Sequence, residues 1–410
     1  RQDFQVRSSC TLQGRASLAT AAMAQSKDVV VLEYADLVAD ADLSDKLLEA
    51  WGEGGWGIVA IRGVPDWEPT YNAALRQSHP LAHLPAESLK KLEDENSMFN
   101  SGWSHGKEKL GDKPDFAKGS FYFNPLSDMP GSEEDRKSFP WAMPPNRWPE
   151  ELPETELVLK KLGTAMHEAV SHLARLVDRS MVGRVEGYNA ELGRVVKDTE
   201  KCKGRLLYYF PPPEAKDAAA EVKKSEVPED GWIGWHNDSG FFTALSPDIY
   251  VDDKTGDVID NPDPEGAGLW VVTRDGSSAR VSIPRDCMCV QVGECTQVVT
   301  GGLLVATPHC VRGCRPALTS GRQVARVSCP CFIDTHPVFT LNMPEGASRE
   351  AILARGLSTK VPPLGDRWTH DGQSFGEFLG QHGNAIFLLS EPASFHINII
   401  VDVNINDQER

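Results

Sequence analysis

The sequence predicts a mainly β core, an antiparallel sandwich or barrel, flanked by α-helices from the N-terminal part. Three observations carry that expectation. After residue 203, short β-rich runs follow one another, separated by polar or Gly/Pro turns. Before it, residues 154–181 place Leu159, Leu162, Met166, Val170, Leu173 and Val177 at three- and four-residue spacing, the mark of an amphipathic helix. The chain, at 410 residues, is long enough for one large core with helical additions.

The elements follow in order. Residues 29–34 form a short β-type run, and residues 36–51 carry Leu37, Val38, Leu43, Leu47 and Leu48 in a helical pattern. Residues 57–65 make a second strand that ends at Gly63 and Pro65. Residues 86–110 begin as a helix and then turn polar. Residues 124–153, rich in Pro, Asp and Trp, read as an irregular loop. The helix 154–181 carries His167 and His172, read as packing or surface histidines. The β runs are 205–210, 232–245, 269–273, 281–283, 288–292, 297–299, 303–306 and 325–333. Residues 246–267, with several Asp, Pro and Gly, read as an insertion loop, and Phe375–Phe378 as part of a short helix within 374–383. The expected organisation is a disordered leader or gene-prediction artefact at 1–27, an N-terminal α/β region at 28–195, a β domain at 200–335, a helical extension at 336–385 and an unplaced tail at 386–410.

Apolar residues make up 40% and charged residues 25%, ordinary values for a globular protein. No run of 18 or more apolar residues occurs, so no membrane span is expected. The formal charge of -17 repels a phosphate backbone, so nucleic acid is not an expected partner and a small molecule is. Oligomeric state has no signature. Residues 1–27 hold three Arg and one Lys against the single acid Asp3. That composition suits an organelle transit peptide; Met23 as the true start is the competing reading. Nine cysteines, most of them in strand-like runs, read as reduced buried thiols of a cytoplasmic protein. The close pairs Cys287/Cys289, Cys310/Cys314 and Cys329/Cys331 leave zinc as the alternative.

The chemistry concentrates in residues 234–245. His236 and Asp238 stand two apart, and on an extended strand such residues point to one side. His309 follows the run 303–306 and supplies a third ligand. Two His and one carboxylate form the facial triad of non-haem iron(II), which leaves one face of the octahedron open. H-x-D occurs once in this chain. Arg326 and Ser328 share another strand face. A guanidinium grips a carboxylate through two parallel hydrogen bonds and a hydroxyl adds a third. Trp235, Phe241 and Trp270 read as core packing. His105 and Tyr122 are candidates for lining a substrate mouth.

The order H-x-D, His, R-x-S resembles the isopenicillin N synthase-like 2-oxoglutarate/Fe(II) oxygenases. Residues 57–65 look like that family's strand before a G-I-P turn. Residues 84–90 look like its L-P-x-E-x-K helix, and residues 102–108 like its G-Y-x-x-G-x-E segment. The resemblance covers roughly residues 28–380 and implies a double-stranded β-helix (jelly roll). It implies iron on His236, Asp238 and His309, and the distal carboxylate of 2-oxoglutarate on Arg326 and Ser328. It further implies O2 as oxidant, ascorbate as a possible reductant, and hydroxylation or desaturation of a small organic substrate with release of succinate and CO2. The family's Asn-x-Tyr falls at Tyr208 and Phe210. Phe210 offers no hydroxyl, which leaves Tyr208 as the expected cosubstrate contact. The two iron histidines lie further apart than is usual, which the insertion at 246–267 explains. Two other readings use the same residues: an Fe(II) oxidase of this fold that takes no 2-oxoglutarate, and a non-catalytic metal- or ligand-binding β-sandwich protein.

Overall fold

The computed structural model describes residues 29–110, 113–211, 232–319 and 321–380. The expected leader at 1–27 and tail at 386–410 lie outside these. In chain order the strands are β1 Val30–Glu33, β2 Ile58–Arg62, β3 Gly102–His105, β4 Lys109–Leu110, β5 Lys113–Pro114, β6 Lys118–Phe123 and β7 Cys202–Tyr209. They continue as β8 Ile233–His236, β9 Phe242–Leu245, β10 Ile249–Asp252, β11 Val258–Ile259, β12 Gly268–Val272, β13 Ser278–Arg280 and β14 Cys287–Val292. The last are β15 His309–Arg312, β16 Val324–Ser328, β17 Cys331–Ile333, β18 Thr340–Leu341 and β19 Gln373–Ser374.

Eleven strands form a major sheet in the order β1-β2-β14-β9-β17-β7-β16-β10-β11, with β6 and β3 added beside β7. Four form a minor sheet, β13-β12-β15-β8. The pairing is antiparallel apart from β1 with β2. The N-terminal region is therefore not a unit set apart: β1, β2, β3 and β6 are built into the same sheet as the C-terminal strands.

Strand alternation gives the major sheet two faces. The outer face carries Leu206, Tyr208, Phe242, Ala244, Cys331 and Ile333, which join one large core. The helix Glu154–Met181 covers it. That helix begins and ends where the periodicity predicts. Leu159, Leu162, Met166, Val170, Leu173 and Val177 are all 0% exposed. The inner face looks at the minor sheet. Ile58, Ala60, Cys287 and Cys289 meet Leu269 and Val271 at one end, and Leu207, Tyr209 and Tyr250 meet Trp232 and Val311 at the other.

Several sequence expectations differ from this. Residues 36–51 hold two helices, Tyr34–Val38 and Ser44–Trp51, broken where Asp40 takes a positive φ of 57°. Residues 297–299 belong to a helix, Glu294–Val299, because the preceding Gly293 turns the chain at the end of β14. Residues 303–306 are not a strand; they run as buried loop behind that helix, where Ala306 N donates to Gln297 Oε1 (2.9 Å). The run 281–283 lies just past β13. The loop 124–153 contains a short helix, Glu133–Ser138, closed by a capping box on Ser132. The insertion 246–267 supplies β10 and β11, so it extends the major sheet.

Candidate metal centre and anion site

β8 ends at His236, and the chain then leaves the sheet through Asn237 and Asp238. β15 opens at His309, which pairs directly with His236 across the antiparallel ladder. The two rings stand with centroids 4.2 Å apart at 56°. His309 Nε2 lies 3.8 Å from Asp238 Oδ1, too long for a hydrogen bond. One ligand atom from each of the three residues falls within 4.8 Å of the others. Among the described residues this is the one such cluster of three or more His, Cys, Asp or Glu, and no cysteine enters it. The eight described cysteines are free thiols, seven of them buried.

The tautomers follow from the backbone. His236 Nδ1 donates to Gly234 O (2.8 Å), and His309 Nδ1 donates to Thr307 O (3.1 Å). Each Nε2 is thereby left with its lone pair, the usual arrangement of a metal-binding imidazole. Asp238 is 8% exposed, and its Oδ2 has no hydrogen-bond partner. A buried carboxylate oxygen without a partner, beside two imidazoles, fits a cation. The donor set, two His and one carboxylate with no fourth protein ligand, fits Fe(II).

Three contacts hold the ligands in place. Asn237 Nδ2 donates to Glu294 Oε1 (3.0 Å), Glu294 N donates to Asp238 O (2.8 Å), and Arg367 grips the Glu294 carboxylate through Nε (3.0 Å) and Nη2. Glu294 and Arg367 are both buried. Burial raises the Glu294 carboxyl pKa, against the pull of Arg367. On the other side, Arg274 Nη2 bonds Thr307 Oγ1 (2.9 Å), two residues before His309. Gly57 fits beneath that threonine: its φ is +75°, and a Cβ there would sit 2.1 Å from Thr307 Oγ1. A cavity of about 300 Å³ adjoins Asn237 and Glu294, and one of about 160 Å³ reaches Asp248 and Tyr250.

On the facing major sheet lies a buried cation. Arg326 is level with Tyr209 on β7 and with Tyr250 on β10. It is 3% exposed. Its Nε and Nη2 bind Asp248 Oδ2 (2.9 and 2.6 Å), and its Nη1 has no partner. The Tyr250 hydroxyl and Ser246 Oγ are likewise buried and unpartnered. Ser328, two residues on, shares the Arg326 face and is buried. The unmet Arg326 Nη1 and the hydroxyl of Tyr250, level with it, fit an incoming carboxylate.

Tyr208 is not among them. It is level with Val327 and points to the outer face, where its hydroxyl bonds Asp253 Oδ1 (2.5 Å) beside the His79 and His83 rings. A one-residue slip in a strand exchanges the faces, and Tyr209 is the tyrosine on the Arg326 side. Tyr250 is absent from the sequence reading because residues 246–267 read there as a loop. Glu294 and Arg367 carry no sequence signal, since they act from a helix start and a C-terminal turn. His105 stacks near Phe210 (centroids 5.0 Å) and Phe116, and Tyr122 bonds Glu108 Oε1 (2.9 Å) on the inner face. Phe241 is core, packed on Phe339 and Phe375. Trp270 is buried as well, with the Arg312 guanidinium 3.7 Å from its ring centroid, whereas Trp235 is half-buried with Lys360 4.5 Å over its ring. His167 bonds Val196 O (2.9 Å) and His172 meets Tyr34 edge-on.

No protein-family model matches the sequence. A 2-oxoglutarate-dependent dioxygenase of Gibberella zeae is 25% identical over 315 residues, which span 74% of this chain and 71% of that protein. A 2OG-Fe(II) oxygenase family protein from Caulobacter crescentus superposes with a TM-score of 0.60 at 18% identity, covering 88% of this chain and 99% of that one. A full-length Neurospora crassa protein in complex with alpha-KG and thymine superposes with a TM-score of 0.59 at 17% identity, covering 87% and 96%.

Proposed function

We infer that this chain belongs to the 2-oxoglutarate- and Fe(II)-dependent oxygenases and hydroxylates or desaturates a small organic molecule, with release of succinate and CO2. The observation that carries the reading is the pairing of two incomplete sites, one on each of the two facing sheets. One is a buried carboxylate with an unpartnered oxygen, clustered with two imidazoles; the other is a buried guanidinium with an unmet donor. The two facing sheets are read as a double-stranded β-helix.

In this reading His236, Asp238 and His309 hold the iron, and Arg326, Ser328 and Tyr250 take the distal carboxylate of 2-oxoglutarate. Bound Fe(II) and 2-oxoglutarate supply, with O2, the oxidising power that removes hydrogen from the substrate. The protein does the rest. Gly234 O and Thr307 O fix the imidazoles as neutral Nε2 donors. Asp248 clamps one edge of Arg326 and leaves the other to aim at the cosubstrate. Trp232, Leu207 and Val311 keep that end of the space between the sheets apolar, which strengthens the electrostatic grip there.

The test is succinate release from the purified full chain with Fe(II), ascorbate and 2-oxoglutarate. Anaerobic titration of 2-oxoglutarate into the Fe(II) protein should produce a metal-to-ligand absorption band. Without band or turnover the reading fails. The oxidase alternative predicts iron binding with no such band, and the unmet Arg326 Nη1 argues against it.

A further inference from the structure

Among the described residues, five cations of the strands stand on the inner face of the major sheet. Four have carboxylate partners. Arg62 meets Glu33 and Asp286, Lys118 meets Asp115 and Glu108, Arg205 meets Glu108, and Arg326 meets Asp248. The fifth is Lys203. It is level with Phe332 of β17, which is level in turn with Thr243 of β9. Its Nζ donates to Asn100 Oδ1 (3.1 Å), and among the described residues no carboxylate lies within ion-pair reach of it. The amide of Asn100 is pinned by donation to Ser97 O (2.9 Å), so it presents its oxygen and carries no charge. An ammonium has three donors. Here one is met by a neutral acceptor, and the rings of Tyr122 and Phe332 flank the group at 5.4 and 5.8 Å.

The position matters as much as the charge. Lys203 lies at the start of β7. The Lys201–Asp334 ion pair (2.9 Å) joins that start to the end of β17. Asp334 Oδ1 accepts from Phe241 N (3.0 Å), and Phe241 O accepts from Gly293 N (2.9 Å). Glu294, next in sequence, binds Asp238 O. Lys203 therefore opens into the barrel at the end where the iron ligands sit, whereas Arg326 lies at the other end of the same inner face. Lys203 and Phe332 are only half-buried, so both remain open to solvent and to an incoming solute.

We propose that Lys203 receives a carboxylate of the substrate, so that this oxygenase acts on an organic acid whose apolar body lies against Tyr122 and Phe332. The proposal rests on the oxygenase reading above. The groups facing the amine are Lys201 just before its strand, Arg205 on that strand, Asp334 beyond β17, Glu108 from the turn after β3, and Tyr122 on β6. Burial, then Lys201 and Arg205, hold the Lys203 pKa down to about 7. An arriving carboxylate offsets both effects and keeps the amine protonated.

Phenylacetate and phenylacetamide differ in charge and little in shape, and serve as probes of the anaerobic Fe(II)–2-oxoglutarate complex. Phenylacetate is expected to perturb the absorption band with a Kd at least tenfold below that of the amide. The preference should disappear in Lys203→Met, with 2-oxoglutarate affinity unchanged, and survive in Lys203→Arg. In the wild type, phenylacetate affinity should fall as pH rises above 7. Equal affinities, preference for the amide, no binding of either probe, a preference that persists in Lys203→Met, or a flat profile from pH 6.5 to 9 overturns the proposal. The pH arm needs no variant. Absence of the band itself is a failure of the oxygenase reading and is seen before any probe is added.

Discussion

Single side chains in this molecule have separable duties. On the proposed reading His236→Ala removes one of three metal donors, so Fe(II) bound after gel filtration should fall at least tenfold, measured by metal analysis. Arg326→Lys keeps the charge and loses the planar fork. The Kd for 2-oxoglutarate should rise tenfold or more while iron content holds. Two tyrosines give the contrasting pair. Tyr250→Phe deletes an unmet inner donor and should weaken 2-oxoglutarate several-fold. Tyr208→Phe deletes an outer hydrogen bond to Asp253 and should leave 2-oxoglutarate affinity unchanged, at a stability cost of about 1 kcal/mol read from denaturant unfolding. Equal effects of the two changes would return Tyr208 to the inner face.

Elements position these residues through contacts distant in sequence. Arg367→Met strands the Glu294 carboxylate among buried groups, and breaking such a pair costs about 3–5 kcal/mol. Asn237 loses its anchor with it, so iron retention should drop about 10–100-fold, the usual effect of losing a support behind a metal ligand. Gly57→Ala forces a Cβ into Thr307 at a left-handed φ, and should lower both the unfolding midpoint and iron retention. How much of this was legible in the sequence depends on how local the cause is. The helix Glu154–Met181 announces itself because one apolar stripe decides it. Arg326 and Ser328 announce themselves because alternation on one strand brings them together, and His236 and Asp238 because they stand two apart at a strand end. Residues 303–306 are as apolar as a strand, yet they are held as loop by the side chain of Gln297. The inner tyrosine is displaced by one residue from the sequence reading because strand period two gives faces but not their absolute phase. That phase is fixed by pairing Arg326 with Tyr209 across two distant strands. Glu294 and Arg367 are invisible for the same reason: their meaning is a tertiary contact.

At the scale of the whole molecule, half-buried charges on the inner face set its response to pH. Burial raises the Glu108 carboxyl pKa, but Arg205 and Lys118 more than reverse this and hold it well below the usual range. The stability it contributes is present above its ordinary value of 4.5 and is lost as pH falls towards its depressed folded value. Lys203 has the opposite sign. Its folded pKa is lowered from 10.5 to about 7, so between those values the unfolded chain holds a proton that the folded chain lacks. Its contribution to stability therefore rises with pH across that window. Unfolding measured from pH 7 to 10 should show the stability advantage of Lys203→Met over wild type shrinking as pH increases. The strut from Arg367 to Glu294 has a consequence for biogenesis. A ribosome delivers His236 and Asp238 well before His309, and Arg367 later still. The loop that carries Asp238 is tethered only after nearly all of the described fold has emerged, so on the proposed reading durable iron loading waits for Arg367, and a nascent chain stalled short of it would hold its metal loosely.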